Sequence, residues 1–141
     1  MLEEDSGQAI RRLQEAYDLY SNDLLIRHEL ARVLIADPDV STMDAERGLQ
    51  LALEVAQQQP LLAHVETVAM GYARTGDFEQ AINLQQDAIA AAQKANRADL
   101  AAHLRDNLAK YENHEPCNVA WRTEELLPQS VSPRVASRTS E

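Results

Sequence analysis

The chain has 141 residues, of which 45% are hydrophobic and only 4% aromatic, and its formal net charge is −10. This length suits one domain, and a core built from Leu, Ala, Ile and Val favours packed helices over a β-sandwich. The acidic balance argues against nucleic acid and anionic membrane surfaces, because both are bound through clustered Lys and Arg. A basic or neutral protein surface fits this charge better as a partner, and the alternative interpretation is that the charge only keeps the domain soluble.

Cysteine usage and the amino-terminal residues bear on location. Cys117 is the single cysteine, so no internal disulfide can form. No stretch approaches the roughly 20 apolar residues of a membrane span, and the start, Met1 to Asp5, lacks the basic character of a signal peptide. We therefore expect no membrane insertion and favour a cytoplasmic over a periplasmic location, although a low cysteine count fits both compartments.

Apolar residues recur at helical spacing in six segments, which predicts six helices. The first two cover about residues 6–20 and 24–36. The third starts at residue 43 or 44 and ends before Pro60. The segment Ser21-Asn22-Asp23 is expected to end the first helix and cap the second. An Asp-Pro-Asp sequence ends that helix, because proline cannot donate to the helix ladder.

The last three predicted helices cover about 62–74, 78–94 and 98–111. Between the fourth and fifth lies Gly76, which can adopt the left-handed conformation that terminates a helix. The following Asp77 can cap the fifth helix. The short connections indicate that neighbouring helices run antiparallel.

Helical spacing stops after the sixth segment. Proline, Ser, Thr and Arg become frequent, which is typical of chain with little structure of its own. The sequence therefore predicts a helical domain over residues 1–115 and an irregular tail over residues 116–141. Within that tail, Trp121, Leu126 and Leu127 are the expected anchors.

Small and aromatic residues recur at a fixed spacing in the segment 69–89. Ala69 and Ala81 would let two antiparallel helices approach closely, while Tyr72 and Phe78 would fill the space around that contact. With the Gly-Asp turn between the helices, this segment resembles the tetratricopeptide repeat, an antiparallel helix pair that recurs along a chain.

The preceding unit, residues 24–60, resembles a variant of the same repeat. It has a longer connection over residues 37–43, and Gly48 stands where the family usually has alanine, at a cost of roughly 1 kcal/mol in a helix interior. The first helix matches only the second half of a repeat, and the sixth resembles the helix that closes such arrays. The resemblance covers about residues 6–112 and implies an all-α, right-handed α-solenoid of antiparallel helix hairpins.

The resemblance also implies a binding surface. In this family the first helices of successive repeats line a concave groove that binds an extended peptide or a partner helix. Carried over by position, the expected partner-binding residues are His28, Arg32, Ile35, Glu66, Met70 and Arg74. Asn107 is a further candidate from the sixth helix.

The sequence offers little for catalysis. It has no nucleophile-elbow glycine pattern and no phosphate-binding glycine loop, so we expect no catalytic residues and no cofactor. His28 and His64 can face each other from neighbouring helices, but a metal site would need a third ligand, and we expect ordinary, partly exposed histidines. His114 and Cys117 form one pair only, which is not a zinc site.

An alternative function follows from the first helix. It is amphipathic and nothing precedes it to cover its apolar face, whereas repeat arrays need polar ends. The chain is therefore expected either to be the carboxy-terminal part of a longer repeat protein or to form a homodimer through this helix. In both cases it would serve as a structural or dimerising appendage.

Overall fold

The computed structural model describes residues 6–37 and 41–116, and within these ranges the chain is all-helical. The helices are α1 (Ser6–Leu19), α2 (Leu24–Ala36), α3 (Thr42–Gln58), α4 (Leu62–Arg74), α5 (Phe78–Lys94) and α6 (Ala98–Glu112). The predicted all-α class and the six helices are confirmed, with bounds within about two residues of those expected. The predicted tail beyond Pro116, and residues 38–40 after α2, lie outside the described residues.

Helix starts follow from short polar side chains. The carboxylate of Asp23 accepts hydrogen bonds from two backbone N–H groups in the first turn of α2, as predicted. The hydroxyl of Ser41 accepts from the N–H of Asp44 at 3.1 Å, so α3 begins at Thr42, slightly before the predicted start. Asp77 caps α5 in the same way, as predicted.

Three helices end with the same backbone reversal. A residue with positive φ follows each of α4, α5 and α6, namely Gly76 at 94°, Asn96 at 60° and His114 at 59°. In each case the next N–H bonds to a carbonyl five residues earlier, which is the Schellman arrangement. These bonds join Asp77 to Tyr72 (2.8 Å), Arg97 to Ala92 (2.9 Å) and Glu115 to Lys110 (2.8 Å). The same backbone conformation therefore reverses the direction of the chain after each of these three helices.

The helices pack in chain order, each on the next, and α2 additionally packs on α4. The core between them is built from Leu, Ala, Val and Ile, as the composition indicated. Ala69 and Ala81 are fully buried, and Tyr72 and Phe78 pack half-buried against that core. Every residue of α4 from Leu62 to Gly71 is buried, which makes α4 the centre of the fold.

A close helix crossing explains the glycine in α3. A Cβ added at Gly48 would lie 2.9 Å from the Cβ of Leu34 and 3.1 Å from the carbonyl oxygen of Ala31. These are rigid parts of α2, so an alanine side chain would push the two helices apart. The helix-propensity cost of Gly48 is therefore offset by the close approach of α2 and α3.

None of the helices in the described ranges is both long enough and apolar enough to cross a membrane.

Candidate binding face on helix α4

The structure places the six sequence-predicted site residues around α4. His28, Ile35, Glu66 and Met70 are buried, each with at most 1% of its surface exposed. The other two, Arg32 and Arg74, are half-buried. The six therefore do not form an open surface in this conformation, and their role in partner binding stays a prediction.

On one flank, α4 meets α2 through a neutral hydrogen-bonded pair. Nε2 of His28 lies 2.8 Å from Oγ1 of Thr67, and the rings of His28 and His64 meet edge to face at 4.6 Å between centroids. The prediction that the two histidines face each other is confirmed. The expectation that they are partly exposed is wrong, because nearby polar atoms satisfy them: Nδ1 of His64 lies 2.7 Å from the carbonyl oxygen of Gln59.

Burial keeps both imidazoles neutral. Desolvation lowers the pKa of His28 to about 3, and the nearby His64 and Arg32 lower it further. Desolvation also lowers the pKa of His64, while the hydrogen bond to the Gln59 carbonyl opposes this shift. A neutral imidazole can be buried at little cost when its ring nitrogens are hydrogen-bonded.

Arg74 ties the end of α4 to the end of α2. Its guanidinium donates to the carbonyl oxygen of Asp37 at 2.8 Å and to that of Ile35 at 3.4 Å. The last carbonyls of a helix have no partner within the helix, so a cationic donor stabilises them. The sequence placed Arg74 in a binding groove, and the structure gives it this capping contact.

On the other flank, α4 meets α6 through a buried carboxylate. Nδ2 of Asn107 donates to Oε2 of Glu66 at 3.4 Å, and Nε2 of His103 lies 3.6 Å from the same oxygen. Both distances exceed the usual 2.9 Å of an N–H···O bond. Asn107 was a candidate from the sequence, whereas His103 was missed, although its spacing of four residues from Asn107 puts both on one helix face.

Between the two flanks, α4 carries a line of buried apolar residues that belong to the hydrophobic core. Ala63 and Met70 are seven residues apart, so they lie on one line two turns apart. This line lies between Thr67, which contacts α2, and Glu66, which contacts α6. We call Ala63, Glu66, Thr67 and Met70 the inner face.

The side chains of the described ranges also bear on metal binding. They contain no group of three or more His, Cys, Asp or Glu side chains that could hold a metal ion. His28 and His64 are therefore hydrogen-bonded as described above, and no third side chain of these types lies beside them to complete a metal site in the described ranges.

Comparisons of the chain with protein-family models, with curated proteins and with solved structures found no match.

Proposed function

We propose that this chain is a non-catalytic protein-interaction module of the tetratricopeptide type, which binds a peptide or partner protein at the inner face of α4. In this proposal α2–α3 and α4–α5 are successive hairpins of a right-handed α-solenoid, α6 is the helix that closes the array, and the inner face is the floor of the concave groove. The packing of α2 on α4, which are not consecutive helices, supports this arrangement.

The observation that carries the proposal is the convergence of polar groups from α4 and α6 on Glu66. A buried carboxylate is costly, and replacing such a group by apolar packing would often stabilise a fold. His103 and Asn107 of α6 contact Glu66 at 3.4–3.6 Å, so polar groups of two helices meet at this carboxylate. Polar groups that stability does not require are typical of binding sites.

The chemistry of the inner face indicates the kind of partner. Glu66 is acidic and the neighbouring Ala63 and Met70 are apolar, and all three are buried in this conformation. A basic side chain flanked by apolar residues would match both features. The net charge of −10 would attract such a partner over longer distances.

Peptide binding to the full-length chain tests the proposal. Peptides selected from a random library should share a Lys or Arg flanked by apolar residues, and NMR shift changes should concentrate on α2, α4 and α6. Glu66→Gln should weaken the selected peptides by about tenfold or more, because a desolvated charge pair contributes several kcal/mol. Glu46→Gln, at an exposed position of α3, is the matched control. Equal affinity of the two variants would contradict the proposal.

A second candidate function is dimerisation through the amino-terminal edge. Four large apolar side chains in or next to α1, α2 and α3 are strongly exposed: Leu19 (75%), Tyr20 (60%), Leu25 (60%) and Met43 (76%). A contiguous apolar patch formed by such side chains would mark an interaction site. Light scattering after size exclusion should then give a dimer that Leu19→Ser with Leu25→Ser converts to a monomer. A native chain that stays monomeric at high concentration would rule this candidate out.

A further inference from the structure

Helices α2 and α4, the first helices of the two hairpins, lie side by side and run in the same direction. His28 contacts Thr67, and the carbonyl of Ile35 contacts Arg74; the two residues of each contact are 39 positions apart. An equal offset at two points indicates parallel helices in register. Between these points Ile35 packs on Gly71, where an added Cβ would be 3.1 Å from Cδ1 of Ile35. We call these contacts the α2–α4 interface.

Hydrogen bonds define where the imidazole protons of this interface lie. The hydroxyl of Thr67 donates to the carbonyl oxygen of Ala63 at 3.1 Å, so its oxygen accepts from Nε2–H of His28 at 2.8 Å. Nδ1–H of His64 donates to the carbonyl oxygen of Gln59 at 2.7 Å. Each neutral ring therefore donates from one nitrogen, and acid adds the second proton at Nδ1 of His28 and at Nε2 of His64.

A second proton on these rings is costly, because it places positive charge in a buried interface. His28 and His64 are only 1% and 5% exposed, and their ring centroids are 4.6 Å apart. Two imidazolium rings at this separation repel each other. Arg32 lies one turn further along α2, paired with Glu29 at 3.5 Å, and it also disfavours a charge on His28. The packed interface therefore requires neutral His28.

The nearest carboxylates of the neighbouring helices contact other groups. On α4, Glu66 is contacted by His103 and Asn107 of α6, on the flank opposite His28. On α3, Glu54 lies 3.8 Å from Arg27 of α2. The remaining charged side chains of α3, and those of α1 in the described range, are exposed or half-buried. Within the described residues, Glu54 and Glu66 thus pair with groups other than His28.

The α2–α4 interface is distinct from the packing that holds each hairpin together. α2 packs on α3, α4 packs on α5, and α3 packs on α4 next to the connection over residues 59–61. α2 can therefore move away from α4 by rotation of its hairpin, while these contacts and the helices stay intact. The bonds from Arg74 lie at a half-buried end, where water can replace them. Such a movement would expose Ile35, which is fully buried in the closed form.

We propose that the α2–α4 interface opens in acid: protonation of His28 releases α2 from α4 and gives a partner access to Ile35 and to Thr67 on the inner face. This inference rests on the proposed function and adds its regulation, because the partner binds the open form. The apparent affinity for a partner is then reduced by the fraction of molecules that are open.

The direction and size of the pH effect follow from His28. Its pKa is 6.5 when the ring is solvated in the open form and about 3 in the closed form. The stability of the closed form that neutral His28 provides is complete above pH 6.5 and is lost as the pH falls from 6.5 towards 3. Between pH 7.5 and pH 5.5 the equilibrium constant for opening should rise about tenfold.

A thiol in the interface measures the opening. The full-length chain with Cys117→Ser and Ile35→Cys has one thiol. Its alkylation rate, divided by that of an unfolded peptide thiol at the same pH, is proportional to the equilibrium constant for opening when reclosing is fast. This normalised rate should be about tenfold higher at pH 5.5 than at pH 7.5. An unchanged normalised rate would overturn the proposal.

Urea distinguishes local opening from unfolding of the whole chain. At low urea concentrations the rate at Ile35→Cys should be nearly constant, because opening of the interface exposes little surface. The control is Ala92→Cys, at a fully buried position of α5, with the same Cys117→Ser background. Its rate should be lower and should rise with urea. The same urea dependence at both positions would overturn the proposal, since acid would then act through global unfolding.

Two variants of the interface assign the effect to His28. In the Ile35→Cys chain, His28→Gln should remove most of the tenfold rise, whereas His114→Asn, which removes a histidine at the end of α6, should retain it. Thr67→Val removes the acceptor of the His28 N–H, so it should raise the labelling about tenfold at both pH values. A full rise in His28→Gln, or unchanged labelling in Thr67→Val, would overturn the proposal.

Peptide binding separates this inference from the proposed function. A peptide selected as above should bind the native chain about tenfold more tightly at pH 5.5 than at pH 7.5, relative to the change seen in His28→Gln, which corrects for titration of other groups. Equal changes in the two chains would overturn the regulation and leave partner binding intact. Absence of any peptide binding, with the labelling results as expected, would overturn partner binding and leave the acid opening intact.

Discussion

The hairpins α2–α3 and α4–α5 reach similar packing by different local means. In the first, Gly48 lies at a crossing so close that an added Cβ would be 2.9 Å from the Cβ of Leu34. In the second, α5 carries the fully buried Ala81, a small residue with a Cβ. The second hairpin reverses tightly at Gly76, whereas the first has a longer connection and restarts at the Ser41 cap. The distance between the two helices of a hairpin and the reversal of the chain between them thus depend on different residues.

The largest expected effect concerns the contact between the two hairpins. The pKa of His28 is lowered from 6.5 to about 3 in the folded chain, so protonation favours the unfolded chain. The stability that neutral His28 provides is complete above pH 6.5 and is lost as the pH falls from 6.5 towards 3, by about 1.4 kcal/mol per pH unit. Urea unfolding at pH 7, 6, 5 and 4 measures this slope.

His28→Gln is the control for the pH effect, since it keeps a polar group near Thr67 and removes the titration. Its unfolding free energy should depend less on pH over the same window, while His64, whose pKa is also lowered, still contributes. If the variant and the native chain have the same slope, the two hairpins are not joined by a neutral imidazole pair.

The second-largest expected effect concerns the contact between the carboxy-terminal ends of α2 and α4, the first helices of the two hairpins. Arg74→Ala removes the donors to the carbonyl oxygens of Ile35 and Asp37, so we expect a loss of about 2 kcal/mol in the unfolding free energy. Arg105→Ala, at an exposed position of α6, should change it by less than about 0.5 kcal/mol. Similar losses in both variants would mean that the bond from α4 to the end of α2 has little stabilising effect.

Two glycine substitutions test how closely the helices approach each other at Gly48 and at Gly71. Gly48→Ala gains about 1 kcal/mol of helix propensity but overpacks a rigid contact at a cost of 1–3 kcal/mol, so a net loss of up to about 2 kcal/mol is expected. At Gly71 the nearest atom is Cδ1 of Leu49 at 2.9 Å, the end of a flexible side chain. In chemical denaturation, Gly71→Ala should therefore lower the unfolding free energy by about 1 kcal/mol less than Gly48→Ala does. The reverse order would contradict the close crossing at Gly48.

The smallest effect concerns the turn of the second hairpin. Gly76 has a φ of 94° with no neighbouring atom within 4 Å of an added Cβ, so Gly76→Ala introduces backbone strain only. A loss of about 1 kcal/mol in thermal or urea unfolding is expected. Asn96→Gly, at a φ of 60°, should be nearly neutral, because glycine adopts that conformation without strain. An unchanged stability of Gly76→Ala would show that the turn tolerates a side chain.

Helix positions could be predicted from the sequence because their determinants are local. Apolar spacing and short capping residues such as Asp23 and Asp77 act within one or two turns, and the structure reproduces these elements closely. The Schellman ends at Asn96 and His114 are less evident in sequence, because a non-glycine residue adopts the left-handed conformation only in a favourable context.

The surroundings of the candidate site could not be predicted, because they depend on residues far apart in the chain. His28 and Thr67 are 39 residues apart, and Glu66 and Asn107 are 41 apart. Helical spacing gives the direction of each side chain but not the separation of neighbouring helices. The sequence therefore predicted that Glu66 and Met70 share one side of α4 but did not reveal that both are buried.

The recurrence of one reversal after α4, α5 and α6 has an evolutionary consequence. Each helix between two such reversals starts and finishes with equivalent backbone geometry, so a helix pair can be duplicated or deleted in register without disturbing its neighbours. For protein engineering, Gly76, Asn96 and His114 mark joints at which additional hairpins can be spliced in.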